Sequence, residues 1–158
     1  MARSDTTRKV TRIQREKINI ILEAALDIFS DHGFRGATID MIAKQAKLSK
    51  PNILYYFDSK DDIHSALLSK LLDKWLEPLK VISANGDPID EICSYVEHKL
   101  DMARVFPRES RLFANEILQG APRILKVLSG PLKELADQTA EIINSWINSG
   151  KIQPVNPY

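Results

Sequence analysis

Apolar residues recur at the three- and four-residue spacing of an amphipathic α-helix along most of the chain, and this spacing restricts the possible folds most strongly. The longest such stripes lie in segments 12–31, 59–80, 88–106 and 131–150. Glycine and proline fall mostly between the stripes, where helices end. No short run alternates strictly between apolar and polar residues, so a β-sheet is not expected. The sequence therefore predicts an all-α protein.

Two short helices, 39–46 and 50–57, are predicted in the first third of the chain. Thr38 and Ser49 are the expected N-caps, because a hydroxyl at that position accepts a hydrogen bond from the first turn. Pro51 lies in the first turn of the second helix, where proline is tolerated. Such a pair is typical of a helix-turn-helix, whose second helix enters the major groove of DNA. Spacing alone is weak support, because many helical bundles contain short helix pairs.

The net charge of +1 conceals a basic first part and an acidic remainder. Residues 1–60 hold 11 Lys and Arg against 7 Asp and Glu, whereas residues 61–158 hold 11 against 14. The excess is greatest in the arm before Lys17. A basic end suits a protein that binds a polyanion, but a solvated tail has the same composition. Charge alone therefore leaves both interpretations open.

The sequence lacks the motifs of common enzyme and metal sites. His32, His64 and His98 are widely spaced, and neither a Gly-rich phosphate loop nor a Gly-x-Ser-x-Gly turn occurs. The single cysteine, Cys93, has no partner for a disulfide within the chain, which agrees with a reducing cytoplasm. Charged residues interrupt every apolar stretch before the ~20 residues that a membrane-spanning helix needs. We therefore expect a cytoplasmic protein that is neither an enzyme nor a membrane protein, with no metal or cofactor.

The segment from Arg15 to Leu68, about a third of the chain, resembles the DNA-binding domain of the TetR family of transcriptional regulators. The residues that carry the resemblance are Ala24-Ala25-Leu26-Asp27-Ile28-Phe29, Gly33-Phe34, Thr38-Ile39, Ile42-Ala43, Ser49-Lys50 and Tyr56-Phe57-Asp58-Ser59-Lys60. The resemblance implies a three-helix DNA-binding domain with a basic N-terminal arm in residues 1–60. A helical domain for ligand binding and dimerisation would then occupy residues 61–158.

The resemblance implies DNA contacts for five residues. The second helix of the motif reads base edges in this family, which implies base contacts for Lys50, Asn52 and Tyr55. Lysine donates to guanine acceptors, and asparagine can pair with adenine. Thr38 and Lys60 match positions that hold phosphates, and such contacts orient a protein on DNA without reading its sequence.

Two positions of the motif depart from the family pattern. Lys47 stands in the turn where glycine is usual, and a non-glycine residue with positive φ costs on the order of 1 kcal/mol. Leu54 stands where the family usually has a tyrosine that contacts phosphate, which leaves Tyr55 as the candidate for that contact.

The remainder of the chain resembles a narrower group of the family, the regulators of pyrimidine utilisation. The resemblance lies in Leu72-Asp73-Lys74-Trp75-Leu76-Glu77-Pro78-Leu79-Lys80, Ser110-Arg111-Leu112-Phe113 and Glu116-Ile117-Leu118-Gln119-Gly120-Ala121-Pro122. It implies a double-stranded DNA operator, a homodimer and a small planar effector, with uracil or thymine as the leading candidates.

Aromatic and polar residues on separate predicted helices are the candidates for effector contacts, because a planar ligand needs ring faces and a few polar partners. They are Trp75, Tyr95, His98, Phe113, Asn115, Glu116 and Trp146. Ordinary core packing would explain the two tryptophans, and positions on the surface would explain His98 and Glu116.

The C-terminal end also departs from the family pattern. Members usually continue past Gly150 with two helices that form the dimer interface, whereas this sequence ends at Tyr158. We therefore expect a regulatory domain that is incomplete at its C-terminus, with part of the apolar stripe in residues 131–150 exposed. The alternative function is a helical protein–protein interaction module, or a regulator remnant without effective operator binding.

Overall fold

The computed structural model describes residues 11–121, 123–125 and 130–158 of the chain. Within these ranges all regular structure is helical, which confirms the predicted all-α class. The helices are α1 (Arg12–Gly36), α2 (Ile39–Ala46), α3 (Lys50–Tyr56), α4 (Lys60–Lys80), α5 (Pro88–Val105), α6 (Pro107–Leu118) and α7 (Pro131–Asn148). The first part of the predicted basic arm, residues 1–10, lies outside the described residues.

Side-chain caps begin the helices of the N-terminal part. Thr38 and Ser49 each accept a hydrogen bond from the backbone N–H three residues further on, as predicted. Ser59 caps α4 in the same way, and its hydroxyl also donates to the carboxylate of Asp62 at 2.7 Å. These bonds use backbone donors that have no partner within the helix, and therefore fix where each helix starts.

A kink at Gly33 redirects the end of α1 toward α2. Gly33 has φ +63° and ψ 174°, a combination that is accessible essentially to glycine alone. One more turn follows the kink and ends at Gly36. The helix therefore continues about one turn beyond residue 31, where the predicted apolar stripe ends.

The main core forms around the apolar face of α1, against which α2, α4 and α6 pack. Its most deeply buried members include Ile21, Leu26, Phe29, Ile42, Ile53, Ile63, Leu67, Leu68, Leu112 and Phe113. The last two belong to α6, so this helix shares a core with the helix-turn-helix. A smaller cluster joins Leu72 and Leu76 of α4 to Leu135 of α7.

The expectation that part of the apolar stripe in residues 131–150 is exposed was wrong, because each described apolar residue of this stripe is buried or half-buried. Leu135 and Trp146 are buried, because α7 packs on α4 and the Trp146 indole donates to the Ala84 carbonyl at 3.0 Å. Ile142 and Ile143 are half-buried.

The exposed apolar stripe lies instead on α5. Ile89, Ile92, Val96 and Leu100 are all exposed, and Leu100 retains 65% of its accessible surface. This stripe faces away from α4 and α6, the neighbours that α5 contacts.

His64 of α4 is the one titratable side chain buried in the core between α1 and α4, among the residues that the structure describes. Its ring packs edge-on against Phe29 and Phe34, with centroid distances of 4.7 and 5.2 Å. Its Nδ1 atom has no hydrogen-bond partner in the described part of the chain. Burial lowers the pKa of His64 from 6.5 to about 4, while the charge of Glu116 raises this pKa to a smaller extent and that of Arg123 lowers it.

The free energy of unfolding should therefore fall as the pH drops from about 6.5 toward 4. The unfolded chain takes up a proton on His64 near pH 6.5, whereas the folded chain resists protonation until about pH 4. We expect His64 to contribute about 2 kcal/mol to the loss of stability between pH 7 and pH 5. Urea unfolding at both pH values measures this loss.

The control variants are His64→Phe, which should reduce the loss by that amount, and His98→Gln, which should leave it unchanged because His98 is exposed. An equal loss in His64→Phe and the unsubstituted chain would contradict the assignment.

Candidate functional site

The turn between α2 and α3 has the geometry of a helix-turn-helix. Lys47 adopts the left-handed conformation (φ 55°, ψ 39°), and the N–H of Leu48 donates to the Ala43 carbonyl at 2.9 Å. Ile42 and Ile53, one on each helix, are fully buried against the main core. The positive φ expected at Lys47 is thus confirmed, and the two buried residues set the orientation of α3.

The outer face of α3 carries the three predicted base-contacting residues. Lys50, Asn52 and Tyr55 are all exposed, and Tyr55 retains 71% of its accessible surface. Asn52 and Tyr55 line a surface cleft to which Lys17 of α1 also contributes. The Lys50 ammonium forms an exposed ion pair with Asp40 of α2 at 2.8 Å. Polar donors are therefore presented on one face, beside the described part of the basic arm.

Lys60, one of the two predicted phosphate contacts, also has a structural role that the sequence did not indicate. Its ammonium donates to the carbonyl oxygens of Phe34 and Ala37, both at 2.7 Å, and lies 4.4 Å from the centroid of the Phe34 ring. An ammonium has three N–H donors, so one remains for a phosphate. Thr38, the other predicted contact, is exposed at the N-terminus of α2.

An ion pair across 81 residues of sequence joins α6 to α1. Arg108 of α6 binds Asp27 of α1, which also accepts a hydrogen bond from Gln45 of α2 at 2.8 Å. Burial tends to raise the pKa of Asp27, but the hydrogen bonds from Arg108 and Gln45 outweigh it and lower that pKa. Asp27 therefore connects α6 with the first helix of the helix-turn-helix.

A cavity of about 330 Å³ lies between α4, α5, α6 and the first turn of α7. Trp75 and Phe113 stack at a centroid distance of 4.7 Å and form one of its walls. Tyr95 and Lys99 supply the polar groups, whereas the other described lining residues are apolar. The structure thus brings together Trp75, Tyr95 and Phe113 from the predicted effector-contacting set.

The other four candidates lie away from this cavity. His98 is exposed in a separate surface cleft, and Asn115 is half-buried on α6. Trp146 is buried and bonded to Ala84. Glu116 is buried, and its carboxylate accepts hydrogen bonds from backbone N–H groups of the turn at residues 123–125.

That turn contacts both the cavity and the DNA-binding helices. Ile124 lines the cavity, while the adjacent Arg123 pairs with Asp61 at the start of α4 at 3.0 Å. The Arg123 guanidinium also lies 3.3 Å from the centroid of the Phe34 ring. The Phe34 carbonyl accepts a hydrogen bond from Lys60. A series of contacts through Ile124, Arg123 and Phe34 therefore joins the cavity to the region before α2.

Sequence reasoning missed Lys99, Arg108 and Arg123. Lys99 lies on the cavity-lining face of α5 together with Tyr95, which was predicted, but the spacing of apolar residues does not indicate which face of a helix lines a cavity. The two arginines bind partners more than sixty residues away, at Asp27 and Asp61, and no local pattern indicates such pairs.

Other types of site find little support in the described ranges. They contain no group of three His, Cys, Asp or Glu side chains that could hold a metal ion. No helix within them is long and apolar enough to span a membrane.

The helix-turn-helix, with its exposed second helix and a cavity-bearing helical body, defines a DNA-binding transcriptional regulator. The chain belongs to the TetR family: residues 21–67 match the model for bacterial regulatory proteins of the tetR family. Residues 68–158 match the C-terminal region of YcdC-like proteins. The family consists of regulators and is not enzymatic, as expected.

The chain is 43% identical over 152 residues to the HTH-type transcriptional regulator RutR of Escherichia coli (strain K12). The alignment covers 96% of this chain and 72% of that protein. RutR of Shigella flexneri gives the same identity and coverage. These similarities confirm the TetR family inferred from the sequence. They also show that the chain resembles RutR in both the DNA-binding part and the remainder.

Solved structures support the fold. AibR in complex with isovaleryl coenzyme A and operator DNA superposes with a TM-score of 0.74 at 20% identity, covering 89% of this chain and 77% of AibR. A TetR-like regulator from Rhodococcus sp. RHA1 gives a TM-score of 0.69 at 24% identity, covering 90% and 76%.

Replacing Lys47 with glycine should raise the free energy of unfolding by about 1 kcal/mol, because glycine adopts a positive φ without strain. Lys47→Ala keeps the strained backbone and removes the same exposed side chain, so it should give no comparable gain. Urea unfolding of the two variants measures the difference. Equal stability of the glycine and alanine variants would show that the turn is unstrained.

Proposed function

We propose that this chain is an effector-responsive regulator that binds a double-stranded DNA operator through α3 and releases it when a small planar molecule occupies the cavity. The observation that carries the proposal is the exposed face of α3, where Lys50, Asn52 and Tyr55 stand above the buried anchor Ile53. A helix that packs on the core through one face and exposes polar side chains on the other suits insertion into a major groove.

In this proposal Lys50 and Asn52 contact base edges, while Thr38 and Lys60 hold phosphates and Tyr55 contacts either. The ion pair between Lys50 and Asp40 does not oppose this role, because exposed pairs contribute at most about 1 kcal/mol. A guanine acceptor or a phosphate can replace that carboxylate. The N–H left on Lys60 is sufficient for one phosphate contact.

The resemblance to regulators of pyrimidine utilisation and the stacked pair of Trp75 and Phe113 support a planar effector, with uracil and thymine as the leading candidates. Aromatic faces stack on flat rings, and a cavity of about 330 Å³ suits a small ligand.

The turn at residues 123–125 is the proposed route from effector to DNA. A ligand against Ile124 displaces the adjacent Arg123, which otherwise binds Asp61 and the Phe34 ring. Phe34 contacts both Arg123 and the Lys60 ammonium, so a displacement of Arg123 changes the support of α2 and α3. An effector shifts such an equilibrium only if it binds the two arrangements with different affinities.

The homodimer and the cytoplasmic location belong to the same proposal. A palindromic operator presents two half-sites about one helical turn apart, and two copies of α3 at fixed spacing are needed to bind both. Bacterial DNA lies in the cytoplasm, where such a regulator has to act.

The first experiment tests the base contacts. A binding site is selected from random duplex DNA with the unsubstituted chain, and gel shifts then compare variants on the selected and scrambled sequences. Lys50→Ala and Asn52→Ala should each weaken binding to the selected site by about 1–3 kcal/mol, with little effect on scrambled DNA. Lys44→Ala is the matched control, because Lys44 is exposed on α2.

Lys60→Ala should weaken both sequences alike and flatten the salt dependence, because a phosphate contact reads no sequence. The assigned roles would be reversed if Lys60→Ala changed the preference for the selected sequence while the Lys50 and Asn52 variants left binding unchanged. Failure to select any sequence would favour the alternative, an interaction module or a regulator without effective operator binding.

The second experiment tests the effector and its route to the DNA. Uracil or thymine should lower the affinity of the unsubstituted chain for the selected site, and this loss should shrink about fivefold or more in Arg123→Ala. Arg104→Ala is the control, because Arg104 is exposed and pairs only locally with Asp101.

Two results of this experiment would count against different parts of the proposal. No response of the unsubstituted chain to either pyrimidine would remove the proposed effector class. An undiminished response in Arg123→Ala would keep the effector and refute the proposed route.

A further inference from the structure

Lys99 places a positive charge at an otherwise apolar cavity. It lies on the inward face of α5, and its ammonium donates to the Trp75 carbonyl at 2.6 Å. The same nitrogen is 4.9 Å from the centroid of the Trp75 ring and 5.7 Å from that of Tyr95. The charge therefore stands beside the aromatic wall on which a planar ligand would stack.

The described lining residues of the cavity supply no counter-ion for this charge. Lys99 is the sole charged side chain among the described lining residues, and no Asp, Glu, Asn, Gln or His is found there. Burial lowers the pKa of Lys99, which shows that its surroundings disfavour the charged form. A partly buried ammonium without an anionic partner is stabilised by any ligand that brings one.

The hydrogen-bonding groups of the cavity also favour a ligand that brings acceptors. The Lys99 ammonium offers two more N–H donors, the Trp75 indole has one N–H donor, and the Tyr95 hydroxyl can donate or accept. Neutral uracil carries two N–H donors as well as two carbonyl acceptors, and the described side chains offer few acceptors for those donors. A ligand rich in acceptors and poor in donors therefore fits better.

We propose that Lys99 selects a planar anionic effector, an aromatic or heteroaromatic ring that bears a carboxylate. The ring packs on Trp75 and Phe113, and the carboxylate pairs with the Lys99 ammonium. This inference rests on the proposed function, because it names the chemical class of effector for the same cavity.

Two matched pairs of ligands test it by calorimetry. Uracil is compared with uracil-6-carboxylate, and benzamide with benzoate, so that each pair shares a ring and differs in the anionic group. The unsubstituted chain should bind the carboxylate of each pair about tenfold or more tightly, as expected for a charge-assisted hydrogen bond.

Lys99→Met should abolish the preference for carboxylates, because methionine occupies similar space without charge. Lys99→Arg should retain it. Lys133→Met, at an exposed lysine of α7, is the control for a general effect of charge. Urea unfolding of each variant separates loss of ligand binding from loss of the fold.

The outcomes separate this inference from the proposed function. Equal or tighter binding of the neutral rings would overturn the inference and leave a pyrimidine effector in place. A carboxylate preference that persists in folded Lys99→Met would show that Lys99 is not its source. If none of the four compounds binds, both the inference and the planar effector fail.

Discussion

The packing of α2, α4 and α6 on the apolar face of α1 is the constraint on which both functional regions depend. Ile21 and Phe29 are fully buried there, together with Ile42 of α2 and Phe113 of α6. Phe113 also forms a wall of the cavity. The helix-turn-helix and the cavity thus share one close-packed core, and such interiors transmit displacements rather than absorbing them.

Polar contacts hold the packed helices in one arrangement relative to each other. Asp27 joins α6 to α2 through Arg108 and Gln45, and Arg123 joins the cavity edge to Asp61 and Phe34. The exposed pairs among them add little stability, since surface ion pairs contribute at most about 1 kcal/mol each. These pairs contribute to the arrangement of the helices rather than to stability, because each joins one helix to another in a single orientation.

The fifth helix shows where sequence reasoning failed. Its spacing predicted a helix correctly but did not indicate that the apolar stripe of this helix is exposed. Periodicity identifies a helix and its faces, whereas the choice of the buried face depends on which neighbours are present. The inward face holds Tyr95 and Lys99. The spacing of apolar residues does not show that this face lines the cavity, because that depends on how α5 packs on its neighbours.

The sequence by itself determined the helices, their caps and the unusual turn, because those features depend on groups a few residues apart. Thr38, Ser49 and Ser59 each bond within their own first turn, and Lys47 closes the helix just before it. The family resemblance, also taken from the sequence alone, implied base contacts for α3. Only the tertiary structure decided the pairing of Arg108 with Asp27, the bonds from Lys60 to the Phe34 and Ala37 carbonyls and the position of Lys99 beside Trp75. Those partners lie 23 to 81 residues apart, and only the packing of the helices brings them within bonding distance.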